Sequence, residues 1–296
     1  MRHPELIVLL FISLLFCMAN TPGYSQQTLL LSEYEAELIS LGGKIWRSGN
    51  DSAMTSANSM FRKRLGEVLR MSGAYSYPFD SLKQVSHLKP SDDSFRIWTW
   101  NLPLSDGTFR YFGFIETRDG RIFNLESNDH KESWQDGIHG PEQWYGAIYY
   151  TLIERRSRKQ MLYTLLGWDG CDPASDRKII EAITFDNHGR PVFGSPVFKT
   201  ADGIRNRVII DYAEKGNVLL RYDKQTLLIS KGNRIRKSRE WMIVTDRLIP
   251  SSPSMKGIRK YYVPSGDTYD AYIFRDGTWI FAEDIFVSNP SSPKRK

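Results

Sequence analysis

The stretch "FRIWTWNLPLSDGTFRYFGF", residues 95–114, alternates between apolar and polar side chains on either side of Asp106-Gly107. A period of two is typical of β-strands, because successive side chains of a strand point to opposite faces. An Asp-Gly pair supplies the backbone angles that a tight hairpin turn requires. These residues therefore predict two antiparallel strands joined by a hairpin.

The same strand-and-turn pattern continues towards the C-terminus, where turn residues separate short runs rich in aromatic and β-branched side chains. No helical periodicity lies between these runs, which argues against a parallel α/β fold. We therefore predict a mainly β protein, α+β overall, with antiparallel meandering sheets and a small N-terminal helical section. After residues 95–100 and 109–114, the predicted strands are residues 122–125, 144–153, 160–166, 179–185, 207–212, 218–222, 227–230, 241–244, 269–274 and 278–281.

The N-terminal section predicts two helices. Ser32 followed three residues later by Glu35 forms a capping-box pattern, which marks a helix start. Gly42-Gly43 interrupts the apolar face of this helix and predicts its end. Asp51 is then expected to cap a second helix, and Gly73 is expected to terminate it.

The first 25 residues have the pattern of a signal peptide. Met1-Arg2-His3 is positively charged, residues 6–19 are almost entirely apolar, and Gly23-Tyr24-Ser25 offers a cleavage site. The apolar run is shorter than the roughly 20 residues that span a bilayer. Lipidation at Cys17 is disfavoured because bulky Phe16 precedes it. We expect an exported protein in the periplasm, attached to the outer membrane or secreted, with a helical section at 26–79, a β domain at 80–287 and a disordered basic tail at 288–296.

A net charge of +6 is modest for 296 residues. Basic clusters at residues 62–64, 155–159 and 231–239 are typical of solvated turns, but they also fit an anionic envelope component or a polysaccharide as partner. Nucleic acid is not predicted, because the two larger clusters lack the interleaved aromatic residues that stack on bases. No segment after residue 25 is apolar enough to be predicted as a membrane span.

The stretch "LLGWDGCDPASDRKII", residues 165–180, concentrates acidic side chains around Cys171. Acidic neighbours oppose the thiolate that a nucleophilic cysteine needs, and the spacing of Asp169, Asp172 and Asp176 does not match the common calcium loop. We expect an acidic turn between a strand ending at 166–167 and an element beginning near residue 178. Trp168, Asp169 and Asp172 are kept as candidate ligand-binding residues, with no catalytic residue, metal site or cofactor predicted.

The second half of the chain resembles a family of exported proteins from Bacteroidetes-type bacteria. The stretches that carry the resemblance are "WYGAIYYTLI…YTLLGWDG…RKIIEAITFDNHGRPVFGSPVF…RVIIDYAEKGNVLLRYD…IVTDRLIPSSPSMKG". The resemblance covers residues 95–287 and is most specific over residues 144–257. It implies export from a Gram-negative cell, and it implies no particular chemistry.

Two functions from different classes remain open. The first is a non-catalytic protein that binds or scaffolds a component of the cell envelope. The alternative is a hydrolase acting on polysaccharide through paired carboxylates beside aromatic side chains. The carboxylates considered for this role are Glu116, Asp169, Asp172, Glu283 and Asp284, and the tryptophans considered beside them are Trp134, Trp144, Trp168, Trp241 and Trp279.

We expect the exported protein to begin at Gln26, because Gly23 and Ser25 are the small residues that signal peptidases require. Intact-mass spectrometry of the protein recovered from the cell envelope measures this directly. Replacing Ser25 by Arg should block cleavage and serves as the control. An N-terminus that is still Met1 in the wild-type protein would contradict the prediction.

Overall fold

The computed structural model describes residues 22–127, 136–157, 160–231, 234–285 and 287. Strands make up 51% of the residues that the structure describes, in antiparallel-dominated sheets after two N-terminal helices, so the predicted fold class is confirmed. The chain divides into two compact units between Gln84 and Val85. Of the described helices, none combines the length and apolar character needed to cross a membrane.

The first unit contains helix α1 (Pro22–Trp46), helix α2 (Asp51–Leu69) and a 3-10 turn (Ala74–Ser76). The predicted start of α1 is wrong: Ser32 lies inside the helix, and its hydroxyl donates to the Leu29 carbonyl at 2.7 Å. The helix also continues through Gly42-Gly43. Glycine costs a helix only about 1 kcal/mol per residue, and burial of Leu38 and Ile45 on either side outweighs that cost.

The predicted ends of α2 also change. Asn50 is its N-cap, and the Asn50 side chain accepts from the Ala53 amide at 2.9 Å, while Asp51 is the first helical residue. Either residue type can cap, so the sequence alone could not choose between them. The helix ends at Leu69, and Gly73, with a φ of 78°, instead precedes the 3-10 turn.

Glu35 ties α1 to the segment that follows α2. Its buried carboxylate accepts from the Tyr77 hydroxyl at 2.8 Å and from the amides of Ser81 and Leu82 at 2.6 and 3.1 Å. Burial and the nearby Glu35 carboxylate raise the pKa of Tyr77 to about 12, so this hydroxyl keeps its proton. Glu35 therefore stabilises the first unit through contacts distant in sequence.

The described residues of the second unit form fifteen strands and three short 3-10 turns. The turns are Pro141–Gln143, Pro253–Met255 and Arg259–Tyr261. The strands are β1 (Ser86–Leu88), β2 (Phe95–Pro103), β3 (Phe109–Thr117), β4 (Ile122–Glu126), β5 (Ile148–Ser157), β6 (Gln160–Asp172), β7 (Ser175–Phe185), β8 (Pro191–Phe193), β9 (Phe198–Thr200), β10 (Gly203–Arg205), β11 (Arg207–Ala213), β12 (Leu220–Lys231), β13 (Arg234–Pro250), β14 (Tyr262–Arg275) and β15 (Thr278–Ile285).

These strands form three sheets. The first has the order β1-β2-β3-β4, the second β11-β7-β6-β5 with β8 beside β7, and the third β10-β9-β15-β14-β13-β12. Neighbouring strands are antiparallel except β9 and β15, which are parallel. The predicted meandering order thus holds where consecutive strands are joined by hairpins. However, β11 pairs with β7 and β15 pairs with β9, and longer stretches of chain separate the strands of each pair.

The second sheet separates two hydrophobic cores, because its side chains alternate between its faces. On one face, Ile179 belongs to a core shared with Phe95 of the first sheet. On the other face, Ile180 belongs to a core shared with Trp279 of the third sheet. The second sheet is therefore the middle layer of the unit.

Several predicted boundaries are corrected. In the stretch 165–180, β6 runs to Asp172 and β7 begins at Ser175, so the turn contains only two residues, with a bulge between Asp169 and Asp172. Residues 218–222 and 227–230 belong largely to one strand, β12. Strand β5 starts at Ile148 rather than 144, because residues 141–143 form a 3-10 turn. The three-residue strands β1, β8, β9 and β10 were missed, and the tail 288–296 lies outside the described residues.

An ion pair lies buried in the second sheet. Arg207 of β11 is directly opposite Glu181 of β7, both are 0% exposed, and their side chains are hydrogen-bonded. The Tyr149 hydroxyl donates to the other Glu181 oxygen, and the Trp144 indole donates to Tyr149 at 3.0 Å. Arg207, Glu181, Tyr149 and Trp144 thus form one connected polar network, which offsets part of the cost of burying charge.

Replacing Glu181 by Leu should destabilise the protein by about 3 to 5 kcal/mol, because the buried Arg207 loses its counter-charge. The double variant Glu181→Leu/Arg207→Leu should recover most of that loss. Urea unfolding followed by tryptophan fluorescence measures both values. The control Glu240→Gln, which breaks a half-exposed pair with Arg275, should cost less than about 1 kcal/mol. Equal losses for Glu181→Leu and Glu240→Gln would refute this account.

Candidate functional site

A cleft opens where the β2–β3 turn meets the β6–β7 turn. Gly107, with a φ of 82°, packs against Pro173, and a Cβ at Gly107 would lie 2.6 Å from the Pro173 Cγ atom. The cleft has a volume of about 380 Å³, which is within the range of small-molecule sites. Its polar walls include Asp106, Thr108, Arg110, Asp169, Cys171 and Arg177.

Asp169 forms the floor of the cleft and is 1% exposed. Its Oδ2 atom accepts from the Tyr145 hydroxyl at 2.9 Å and lies 3.8 Å from the Arg177 guanidinium. The bulge that follows Asp169 is held by the Gly170 amide, which donates to the Tyr111 hydroxyl at 2.8 Å. A Cβ at Gly170 would overlap the Phe109 ring, so this close approach requires glycine.

The charges of the floor are fixed by burial. Burial and the Asp169 carboxylate raise the pKa of Tyr111 and Tyr145 far above 10, so both hydroxyls keep their protons. Burial lowers the pKa of Arg177, but Tyr145, Asp211 and Cys171 outweigh this effect and raise it overall. Arg177 also donates to Asp211 at 2.6 Å. Arg177 therefore stays a cation beside the carboxyl group of Asp169.

The rim of the cleft carries a second pair of opposite charges. Asp106 accepts from the Thr108 amide at 2.9 Å and from the Thr108 hydroxyl at 2.6 Å. These hydrogen bonds, and then the charge of Arg110, lower the pKa of the exposed Asp106. Asp106 is consequently an acceptor at neutral pH, held in one orientation by its own turn.

Of the three predicted candidates, Asp169 lines the cleft, and Trp168 and Asp172 support it. The Trp168 indole donates to Asp176 at 3.1 Å, and the Trp168 ring packs edge-on against Phe109. Asp172 accepts from the Ala174 amide at 2.8 Å and from Ser175 at 3.0 Å. Burial raises the pKa of Asp172, but these hydrogen bonds outweigh it and lower the pKa. Asp172 thus closes the hairpin turn.

The acidic residues of this stretch do not share one point. Asp169 contacts Tyr145, whereas Asp176 accepts from Trp168 and, at 3.4 Å, from Tyr212. Among the residues that the structure describes, no three His, Cys, Asp or Glu side chains are arranged to hold a metal ion. The sequence prediction for Cys171 rested on its acidic neighbours. In the structure the Arg177 guanidinium also lies close to Cys171, and both residues line the cleft.

Sequence reasoning missed most of the cleft. Asp106 and Arg177 were predicted only as turn residues, and Arg110, Tyr111 and Tyr145 were predicted as strand residues. The only sequence feature that these residues share is that each lies at or near the end of a predicted strand. Ends separated by about 60 residues of sequence meet only when the first and second sheets pack.

No family model, curated protein or solved structure matches this chain. The resemblance to exported Bacteroidetes-type proteins therefore stays a prediction.

Replacing Asp169 by Ala should destabilise the protein by about 2 to 4 kcal/mol, because two buried tyrosine hydroxyls lose an acceptor and Arg177 loses a counter-charge. Replacing Asp172 by Ala removes only a partly exposed turn contact and should cost about 1 kcal/mol. Thermal and urea unfolding of both variants measures the difference. A larger loss for Asp172→Ala would show that the turn, not the floor, carries the stability.

Proposed function

We propose that the protein is an exported, non-catalytic binding protein whose cleft holds a sugar unit of an envelope or extracellular polysaccharide. The observation that carries the proposal is the arrangement of fixed charges of both signs beside one aromatic ring. Asp106 and Arg110 are at the rim, Asp169 and Arg177 are at the floor, and Phe109 is in the wall.

This arrangement suits a ligand with many hydroxyl groups. Each hydroxyl can donate to a carboxylate such as Asp106 and accept from a guanidinium such as Arg110. The Phe109 ring offers an apolar surface for the C–H face of a sugar, and Trp168 braces that ring from the side. Because Asp106 and Arg177 are already held by neighbours, little ordering entropy is lost on binding.

The place of action follows from the predicted signal peptide and from the resemblance to exported proteins. The predicted cleavage after Ser25 falls within the first turn of α1 (Pro22–Trp46), so processing would leave most of that helix in place. Periplasm, outer-membrane surface and extracellular medium all contain polysaccharide. The partner expected from the sequence, an anionic envelope component or a polysaccharide, is thus consistent with a sugar-binding cleft.

A hydrolase is the second candidate, because two carboxylates, Asp106 and Asp169, line the same cleft. A glycosidase needs one carboxyl group that keeps a proton near neutral pH. The pKa of Asp106 is lowered, and Asp169 accepts hydrogen bonds from neutral tyrosines. This arrangement favours binding over proton transfer.

The other carboxylates considered for hydrolysis have different surroundings. Glu116 is 2% exposed and paired with Arg96 across β2 and β3. Glu283 lies beside Arg247, and the amide of Asp284 on β15 donates to the Asp270 side chain on β14. None of these residues lines the cleft.

The test is calorimetric titration of the mature protein with neutral and uronate-containing tetrasaccharides. Asp106→Ala and Arg110→Ala should each weaken binding about tenfold, the equivalent of one charged hydrogen bond. Asp119→Ala is the matched control, because Asp119 also accepts from a threonine at an Asp-Gly turn but lies outside the cleft.

Two outcomes would overturn the proposal. Unchanged affinity in both cleft variants would remove the cleft as the binding site. New reducing ends that disappear in Asp106→Asn would replace binding by hydrolysis.

A further inference from the structure

Trp241 is exposed on the third sheet, which is unusual for so large an aromatic side chain. It is 48% exposed, whereas Trp98, Trp144 and Trp279 are fully buried. Its ring is stacked on that of Tyr222, with a centroid separation of 5.1 Å and an interplanar angle of 20°. The Tyr222 ring also packs edge-on against buried Trp279, so the core holds one side of the stack and Trp241 is its open side.

Cations share the face of the sheet that carries Trp241. Along β13, Lys237, Arg239 and Trp241 recur at every second position, so they point to the same side. Lys224 of β12 is directly opposite Trp241, and all four side chains are exposed. The intervening Glu240 points to the other side, where it pairs with Arg275.

A further cation comes from the second sheet. The Arg155 guanidinium lies 5.1 Å from the centre of the Tyr222 ring, within cation–π range. Ser157, the last residue of β5, is close to the third sheet, because a Cβ at Gly277 would overlap the Ser157 side chain. Burial lowers the pKa of Arg155, consistent with a cation partly removed from water.

The positive charge of this face is not balanced by neighbours. Among the described residues, no acidic side chain forms an ion pair with Lys224, Lys237 or Arg239. The two larger basic clusters of the sequence thus contribute cations to one aromatic platform. This interleaving was not predicted from the sequence, because Tyr222 and Trp241 lie outside the clusters themselves.

We infer that this face, formed by Arg155, Tyr222, Lys224, Lys237, Arg239 and Trp241, binds a chain of acidic polysaccharide. Sugar rings stack on Trp241, and the carboxylates of the polymer pair with the surrounding cations. The inference rests on the proposed function and specifies its polymer class. Single-stranded nucleic acid also uses stacking and cations, but an exported protein meets acidic polysaccharide, so the oligonucleotide becomes an outcome of the test.

The experiment titrates the mature full-length protein with polygalacturonate decamers, and follows tryptophan fluorescence and heat. Dextran and a ten-residue oligothymidine are the comparison ligands. Trp241→Ala should weaken decamer binding at least about fivefold, as the loss of one stacking platform does. Lys237→Glu and Arg239→Glu should weaken it further, and added salt should weaken binding in the wild type.

Matched controls lie on the same unit. Ile249→Ala removes another exposed apolar side chain of β13, and Lys256→Glu reverses an exposed charge outside this face. Both should bind the decamer like the wild type. Circular dichroism confirms that each variant is folded, and the charge variants test the face independently of Trp241.

Three results would overturn the inference. They are unchanged decamer affinity in Trp241→Ala and in both charge variants, equal affinity for dextran, and tighter binding of oligothymidine than of the decamer. Asp106→Ala separates this inference from the proposed function, because it acts on tetrasaccharides in the cleft. If only Asp106→Ala loses binding, the cleft stands and this face fails; if only the Trp241 face variants lose binding, the reverse holds.

Discussion

The buried pair of Arg207 and Glu181 is the constraint on which the second unit depends. Burying a charge is costly unless it is paired and hydrogen-bonded, and here Tyr149 and Trp144 extend the network around the pair. Arg207 and Glu181 are opposite each other on β11 and β7, so the pair fixes the register of a strand that arrives across a long connection. A one-residue slip of β11 would move Arg207 to the opposite face of the sheet, away from Glu181.

The cleft is a consequence of how the first sheet packs on the second. Their shared core brings the β2–β3 turn against the β6–β7 turn, and Gly107 permits the contact with Pro173. The bulge after Asp169 then turns that carboxylate towards Tyr145. Packing supplies the stability of the site, while hairpin ends supply its chemistry, as in many proteins whose loops carry function on a rigid scaffold.

Two surfaces of the unit offer complementary chemistry for one class of ligand. The cleft presents paired charges to a single polar unit, whereas the Trp241 face presents a stacking ring within unbalanced positive charge. Each surface can be altered without touching the Arg207–Glu181 network.

The sequence by itself determined the local features of this protein. Alternating side chains and Asp-Gly pairs such as Asp106-Gly107 and Asp276-Gly277 specify hairpins, because strand pleating and positive φ angles are properties of neighbouring residues. Only the tertiary structure decided which residues distant in sequence lie together. It places β9 beside β15, Arg177 beside Cys171, and Asp106 and Asp169 in one cleft. These juxtapositions depend on which hydrophobic faces bury each other, and no local pattern of residues encodes that choice.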